Sequence, residues 1–274
     1  MKSIHFPDNR EVHVLGQGTW FMGLDPRART READALRYGL DLGMTLIDTA
    51  EMYNDAELVV ADALKGRRNE AFVVSKVLPS NASKSGTVLA CEKSLSRLKI
   101  ECLDLYLLHW TGSYPVEETL EAFERLVADG KIAGYGVSNL DTDQLQRAWN
   151  CPGGAHIATN QVLYNLRHRG IEWDLLPWCR EHRIPIMAYS PLNQGRLDSD
   201  VLNQIAADHN VSRFQVALAW LLEQDSVIVI PKAVNKAHID ENHAALDILL
   251  SYEEIQQINA AFPAPECAVA LEML

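Results

Sequence analysis

The sequence predicts a (β/α)8 barrel, because a short apolar strand followed by an amphipathic helix recurs about eight times along the chain. The strand segments are rich in Val, Ile and Leu, which is typical of parallel strands buried on both faces. Glycines such as Gly43, Gly66 and Gly130 stand where helices are expected to end. The 274 residues suffice for one such barrel, which typically needs about 250. A doubly wound parallel sheet is the alternative that the periodicity leaves open.

The elements follow one another without a linker or a change in composition, so a single domain over residues 1–274 is expected. Residues 4–14 alternate around a Pro-Asp-Asn-Arg turn, which predicts a β-hairpin before the first barrel strand. The predicted barrel strands are residues 16–20, 45–49, 71–77, 102–109, 132–138, 157–163, 184–189 and 227–230. The predicted helices are residues 32–42, 56–65, 87–98, 116–129, 142–149, 171–182, 200–209, 212–224 and 236–246. In an extra C-terminal helix, residues 251–261, Ser251 is the expected N-cap and Glu254 its capping-box partner.

The composition excludes several classes of partner. The formal net charge is −12 with a pI near 5.2, so the average surface repels nucleic acid and anionic membranes, although a local basic pocket is still possible. No apolar run approaches the roughly 18 residues needed to span a bilayer. Five cysteines without metal-binding spacing fit a cytoplasmic protein with reduced thiols and no metal site.

Three successive predicted strands end in polar residues, namely Asp48, Lys76 and His109, and Tyr53 follows Asp48 by five positions. In a (β/α)8 barrel, the C-terminal ends of the strands carry the active residues. Each residue alone has an ordinary interpretation as a loop anchor, a strand terminus or a packing residue. Their equivalent positions in consecutive units favour one shared site, and we refer to these four residues as the tetrad.

The residue types of the tetrad suit the delivery of a proton to a carbonyl oxygen. A lysine ammonium beside a tyrosine is expected to lower the phenol pKa from its usual value of about 10. Asp48 would keep Lys76 charged and oriented, so Tyr53 could act as a general acid. His109 could donate a hydrogen bond that polarises the carbonyl. Because none of these groups can supply a hydride, the chemistry requires a cofactor.

The common cofactor and hydrolase motifs are missing. Gly16 and Gly18 are followed by Phe21 where a dinucleotide fingerprint needs glycine, and no P-loop, HExxH or GxSxG motif occurs. A hydride cofactor would therefore bind a barrel rather than a Rossmann fold. A metal-dependent barrel hydrolase is an alternative, but only Asp48 and His109 would qualify as strand-end ligands.

The local sequences LIDTAEMY, VVSKV and LYLLHW place the tetrad in contexts that resemble the catalytic site of the aldo-keto reductases. The resemblance covers nearly the whole chain and is strongest to short bacterial members that reduce methylglyoxal and related small aldehydes. Its further motifs are GQGTW (16–20), GVSN (136–139), NQV (160–162), AYSPL (188–192), IPKA (230–233) and HIDEN (238–242).

The resemblance implies an NADPH-dependent reductase of small aldehydes and ketones, with NAD(H) as a possible second cofactor. Tyr53 would be the general acid, Lys76 and Asp48 its tuning pair, and His109 the group that orients the carbonyl. A monomer is expected, because family members often are monomeric. The alternative is a catalytically weak NADP(H)-binding sensor or subunit on the same barrel.

The resemblance also implies a cofactor cradle along the barrel rim. Ser138, Asn139 and Gln161 would bind the nicotinamide carboxamide, and Tyr189 would stack on the ring. Ser190, Leu192 and residues 193–197 would follow the pyrophosphate, Lys232 and Ala233 would lie near the adenosine phosphate, and Glu241 and Asn242 near adenine. The complete set of implied cofactor contacts is Gly18, Thr19, Asp48, Ser138, Asn139, Gln161, Tyr189, Ser190, Leu192, Ile230, Lys232, Ala233, His238, Glu241 and Asn242.

On the substrate side, Trp20 and Trp110 are expected to line the pocket mouth together with Tyr53 and His109. Aromatic walls suit small carbonyls in a mostly apolar cleft, although core packing is the competing interpretation for both tryptophans. The tail after Ala261 is short, which predicts an open pocket that selects weakly among substrates.

His238 stands where the family commonly has an arginine, so the preference for NADPH over NADH is expected to be weaker than with arginine at this position. Lys232 remains to support NADPH, and an imidazole gains charge as the pH falls. The preference should therefore increase at lower pH, which affinities for both nucleotides at two pH values would show. A preference that does not change with pH would contradict the role of His238.

Overall fold

The computed structural model describes residues 2–274 and contains ten strands and ten α-helices within that range. The strands are β1 (Ser3–His5), β2 (Glu11–His13), β3 (Gln17–Gly18), β4 (Leu46–Asp48), β5 (Phe72–Val77), β6 (Leu105–Leu108), β7 (Tyr135–Ser138), β8 (Ile157–Leu163), β9 (Ile186–Tyr189) and β10 (Val227–Val229). The helices are α1 (Arg29–Asp41), α2 (Ala56–Ala63), α3 (Lys84–Leu98), α4 (Val116–Ala128), α5 (Thr142–Trp149), α6 (Leu175–Glu181), α7 (Asp200–His209), α8 (Arg213–Leu222), α9 (Lys236–Ala244) and α10 (Tyr252–Ala261).

Strands β3 to β10 form a closed parallel barrel. They pair in chain order from β3 to β10, with every pair parallel. The barrel closes where Leu15 bridges Val229 in parallel and the Gly16 N–H donates to the Val229 carbonyl at 2.8 Å. This confirms the predicted (β/α)8 barrel, because a doubly wound sheet would reverse its strand order and remain open.

The N-terminal hairpin covers the end of the barrel opposite to the strand C-termini. β1 and β2 pair antiparallel, and Phe6 in their connection stacks on Phe72 at the start of β5, with ring centroids 5.4 Å apart. Phe6 and Val12 are buried against Leu46 and other residues inside the barrel. The predicted hairpin is therefore confirmed, and it leaves only the C-terminal end of the barrel accessible.

The outer helices follow the predicted segments closely, with one exception. The segment predicted as a helix over 171–182 divides into a short 3-10 turn, Gly170–Glu172, and α6, which starts at Leu175. Pro177 thus lies in the first turn of α6, where its missing N–H costs no helical hydrogen bond. The predicted capping box of α10 is present, since Ser251 and Glu254 exchange side-chain to backbone hydrogen bonds.

A buried carboxylate ties two outer helices to the strand that carries Lys76. Glu57 of α2 is fully buried, and it accepts hydrogen bonds from Ser75 of β5 at 2.7 Å and from Arg97 of α3. The ion pair with Arg97 compensates the cost of burying the Glu57 charge.

Arg97→Met should lower the free energy of unfolding by about 3 kcal/mol, because it leaves the buried Glu57 carboxylate without its cation. Urea denaturation would measure the loss. The matched control is Arg125→Met, because Arg125 pairs with Asp129 on the exposed surface of α4, and such pairs contribute about 0.5 kcal/mol or less. Equal losses in the two variants would contradict this role of Glu57.

Candidate active site

The barrel brings the tetrad together at its open end. Asp48 is the last residue of β4, Lys76 lies near the end of β5, and His109 directly follows β6. Tyr53 lies in the loop between β4 and α2. Parallel strands present their C-terminal ends on one rim, so residues from three separate units meet here, as the sequence predicted.

Lys76 is the centre of the tetrad and is fully buried. Its ammonium donates to both carboxylate oxygens of Asp48 at 2.8 Å, to the Thr49 carbonyl at 2.9 Å and to the Tyr53 hydroxyl at 3.3 Å. Gln161, from the far side of the barrel, donates to the same Asp48 carboxylate at 2.7 Å. These contacts compensate the charge of Lys76 and direct it at the Tyr53 oxygen.

His109 lies beside Tyr53 with its ring nearly perpendicular to the phenol ring, at a centroid distance of 5.7 Å. The His109 ring is tilted against Trp110 at 4.7 Å, and its backbone carbonyl accepts from the Asn139 side chain at 3.0 Å. Within residues 2–274, the buried Nδ1 of His109 has no hydrogen-bond partner. The imidazole is therefore held by packing and borders the same cavity as the Tyr53 hydroxyl.

The protonation states of the tetrad are set mainly by burial. Burial, together with the Asp48 charge, holds the pKa of Tyr53 well above its usual value of 10. Burial also lowers the pKa of Lys76, although Asp48 opposes that shift. The pKa of His109 falls to about 2, because of burial and the neighbouring Lys76 charge. The expectation that Lys76 lowers the Tyr53 pKa below its usual value is therefore wrong for this structure, since burial outweighs it.

A cavity of about 890 Å3 extends from the tetrad along the rim to β10 and α9. Apart from Lys76, which lies behind it, and part of the loop 193–197, every predicted catalytic, cofactor and substrate residue lines this cavity. The polar groups at its inner end hydrogen-bond to one another. Tyr189 donates to the Asn139 side chain at 3.0 Å, and Ser138 donates to the Gln161 carbonyl at 2.8 Å. An elongated anionic cofactor fits a cavity of this volume, with amide groups near the tetrad at one end and Lys232 at the other.

The backbone is strained at four positions along the cavity. Phe21, Asn139, Ser190 and Gln194 have φ angles of 66°, 57°, 48° and 54°, in the left-handed region that non-glycine residues rarely adopt. Each of them lines the cavity. Such strain is concentrated at functional sites, where surrounding contacts hold the backbone in place.

The cavity also has walls that the sequence reasoning missed. Phe21 and Met52 border it from loops near Trp20 and Tyr53, and Ser212 and Phe214 border it from the start of α8. The sequence gives no signal that a half-exposed apolar residue such as Met52 will line a cavity, because this depends on how distant loops are arranged.

The C-terminal tail, although short, returns to the cavity, whereas the weak substrate selection expected of an open pocket stays a prediction. Met273 and Leu274 line the cavity wall. The tail runs along the loop after β8, where His168 Nδ1 lies 2.9 Å from a Glu272 carboxylate oxygen. The tail therefore contributes an apolar wall close to Tyr189.

Within residues 2–274, no group of three His, Cys, Asp or Glu side chains is arranged to hold a metal ion. None of the helices in that range has the length and apolar character required to cross a membrane.

Asp48, Lys76, Tyr53 and His109 together at the rim of a parallel barrel define an enzyme site, and known proteins show its class. A model of the Aldo/keto reductase family matches residues 14–262. Methylglyoxal reductase YeaE of Escherichia coli is 51% identical over 281 aligned positions, covering 100% of this chain and 99% of that protein. Glyoxal reductase of Bacillus subtilis is 36% identical over 260 positions, covering 92% of each protein.

Solved structures agree with this match. The crystal structure of an aldo-keto reductase from Klebsiella pneumoniae in complex with NADPH has a TM-score of 0.96 at 48% identity, covering 100% of this chain and 99% of that one. The chain therefore belongs to the aldo/keto reductase family, which confirms the predicted resemblance and the predicted oxidoreductase class.

Because His109 stays neutral when folded, the protein should lose stability in acid. The unfolded chain takes up this proton near pH 6.5, whereas the folded protein does so only near pH 2. The contribution of the neutral His109 to the free energy of unfolding is complete above pH 6.5. It falls by about 3 kcal/mol when the pH reaches 4. Urea unfolding at pH 7 and pH 4 should show this extra loss in the wild type but not in His109→Gln.

The matched control is His5→Gln, because His5 is an exposed histidine of β1 and should leave the pH dependence of the wild type unchanged. A His109→Gln protein that lost as much stability in acid as the wild type would show that His109 is protonated in the fold.

Proposed function

We propose that this protein reduces small aldehydes and ketones to alcohols with NADPH, and that methylglyoxal-like dicarbonyls are its typical substrates. The names of its relatives from E. coli and B. subtilis support the substrate class. The NADPH complex of the Klebsiella relative supports the cofactor. The observation that carries the proposal is the Tyr53 hydroxyl, which lies 3.3 Å from a buried ammonium and borders a large cavity.

The residues that line the cavity fit NADPH. The amide side chains of Asn139 and Gln161 could bind a carboxamide, and the half-buried Tyr189 offers a ring face beside them. Lys232 offers positive charge at the other end. Bound there, NADPH would supply the hydride that no side chain of the protein can provide.

Tyr53 acts as the general acid in this proposal. Its raised pKa keeps the proton on the phenol throughout the neutral range, so the donor is loaded when a carbonyl arrives. As negative charge develops on the substrate oxygen, Tyr53 transfers its proton to that oxygen. The Lys76 ammonium then stabilises the phenolate through the hydrogen bond that it already makes.

His109 orients the substrate rather than titrating. A neutral imidazole beside Tyr53 can donate one hydrogen bond to the carbonyl oxygen and polarise it without transferring its proton. Asp48 touches neither the substrate nor the phenol oxygen in this arrangement. It acts by holding Lys76 in place through the two 2.8 Å contacts.

The aromatic and apolar groups near the tetrad complete the site. Trp20, Trp110 and Met52 surround the space next to Tyr53 and would exclude water from a bound carbonyl. Within residues 2–274, all five cysteines are free thiols, which supports placing this activity in a reducing compartment such as the cytoplasm.

The alternative function, a nucleotide-binding sensor without turnover, would not need an intact proton donor at the cavity. Consumption of NADPH, followed with a panel of small aldehydes, dicarbonyls and keto-sugars and repeated with NADH, tests the proposal directly. Turnover of at least one of these carbonyls is expected. Nucleotide binding without turnover of any of them would favour the sensor.

Tyr53→Phe should reduce kcat at least 100-fold, because general acid catalysis typically contributes 100-fold to 10,000-fold. Its affinity for NADPH, measured by fluorescence titration, should stay within about twofold, since the phenol only borders the cavity. Asp48→Asn should cost less, because the proton donor remains.

The matched control is Tyr252→Phe, since Tyr252 is exposed at the start of α10 and far from the tetrad in sequence. If Tyr53→Phe kept most of the activity, Tyr53 would not be the proton donor.

A further inference from the structure

The segment 231–238 forms a wall between two cavities. Pro231, Lys232, Ala233 and His238 line the main cavity. A second cavity, of about 670 Å3, lies on the other side of this wall. It is lined by Val234, Asn235, Lys236 and Ile239 of the wall region and by Arg31, Asp34, Ala35 and Tyr38 of α1. The start of α1 therefore lies beside the end of the main cavity that holds Lys232 and His238.

Three cations meet around this wall, namely Arg31, Lys232 and Lys236, and we call them the basic rim. Among residues 2–274, the ion pairs include none of the three. Burial lowers the pKa of Lys232, Glu32 opposes this, and the charge of Arg31 lowers it further, so the two cations repel each other. Three neighbouring cations without ion-pair partners in the described part of the chain favour the binding of an anion at this place.

Three acidic groups near the rim already have partners. Glu32 accepts the backbone N–H of Gly23 at 2.8 Å, and Asp34 pairs with Arg37 at 3.5 Å. Asp240 of α9 accepts the Tyr38 hydroxyl at 2.5 Å.

Lys236 and Arg31, two cations of the basic rim, differ in how their side chains are held. Lys236 lies over the Tyr38 ring with its Nζ 4.4 Å from the ring centroid, which holds the ammonium at the mouth of the second cavity. Arg31 is exposed on the first turns of α1 and keeps all its guanidinium donors available, since none of them takes part in the hydrogen bonds within residues 2–274. A flexible arginine with free donors can reach a phosphate in front of the wall.

We propose that Arg31, supported by Lys236, binds the 2′-phosphate of NADP(H) together with Lys232 and thereby supplies a preference for NADPH over NADH. This inference rests on the proposed function, because it concerns the adenosine end of the same cofactor. A guanidinium stays charged at any pH near neutrality and can hold two phosphate oxygens at once. The preference for NADPH therefore persists at pH 8, where an ordinary imidazole is uncharged.

Arg31→Ala tests the proposal through equilibrium binding rather than turnover. Titration of the full chain at pH 8 with NADPH and with NADH should show an NADPH dissociation constant raised 5-fold to 20-fold, roughly the loss of one charge-assisted phosphate contact. The NADH constant should change less than about twofold. The short probes 2′-AMP and 5′-AMP should repeat this difference, since only the first carries the 2′-phosphate.

The matched control is Arg27→Ala, which makes the same change in net charge. Arg27 is paired with Asp25 at 3.0 Å and lines neither cavity, so its removal should leave both constants unchanged. Lys236→Ala should weaken NADPH binding in the same selective way but by a smaller factor.

An Arg31→Ala protein that binds NADPH as tightly as the wild type would overturn the proposal. So would a variant that loses affinity for NADPH and NADH equally, because that pattern indicates a structural role for Arg31. A loss matched by Arg27→Ala would also overturn it, since the effect would then come from overall charge. A wild-type protein that binds neither nucleotide would instead refute the proposed function.

Discussion

The buried ion pair between Lys76 and Asp48 is the interaction on which the rest of the site depends. Removing two charges from water costs several kcal/mol per ion, and only close, well-oriented contacts repay that cost. Here the Lys76 ammonium has both Asp48 oxygens and the Thr49 carbonyl within 2.9 Å. Its remaining direction points at Tyr53, so the geometry that makes the buried charge tolerable also places it beside the proton donor.

This ion pair also explains why the site needs a whole barrel. Asp48 and Lys76 come from neighbouring strands, but Gln161, which holds the Asp48 carboxylate, comes from four strands further along the chain. A closed barrel brings these strands within reach across its centre, whereas an open sheet would separate them. Glu57 supports the same strand from the outside, so Lys76 lies between an inner and an outer carboxylate.

The two ends of the main cavity have opposite electrostatic character. At the tetrad, charges are buried, paired and surrounded by apolar walls, which suits chemistry that moves a proton. At the segment 231–238, the cations are exposed and have no carboxylate partners, which suits the binding of an anion from solvent. On a chain with a net charge of −12, this basic rim is a local region of opposite sign.

The sequence by itself determined the barrel, the hairpin, the capped final helix and the identity of the tetrad. Those features depend on local periodicity and on a simple rule, since the C-terminal ends of parallel strands share one rim and bring Asp48, Lys76 and His109 together. The resemblance extended this to the cofactor side, and the residues that it named there line the cavity, except for part of the loop 193–197.

Only the tertiary structure decided the walls that come from distant parts of the chain, such as Met273, Phe214 and Arg31. It also decided the direction of the Tyr53 pKa shift. A motif shows which charge lies near the phenol, but burial is a sum over all the side chains that surround it. In this barrel that sum is larger than the effect of Lys76, so the phenol keeps its proton.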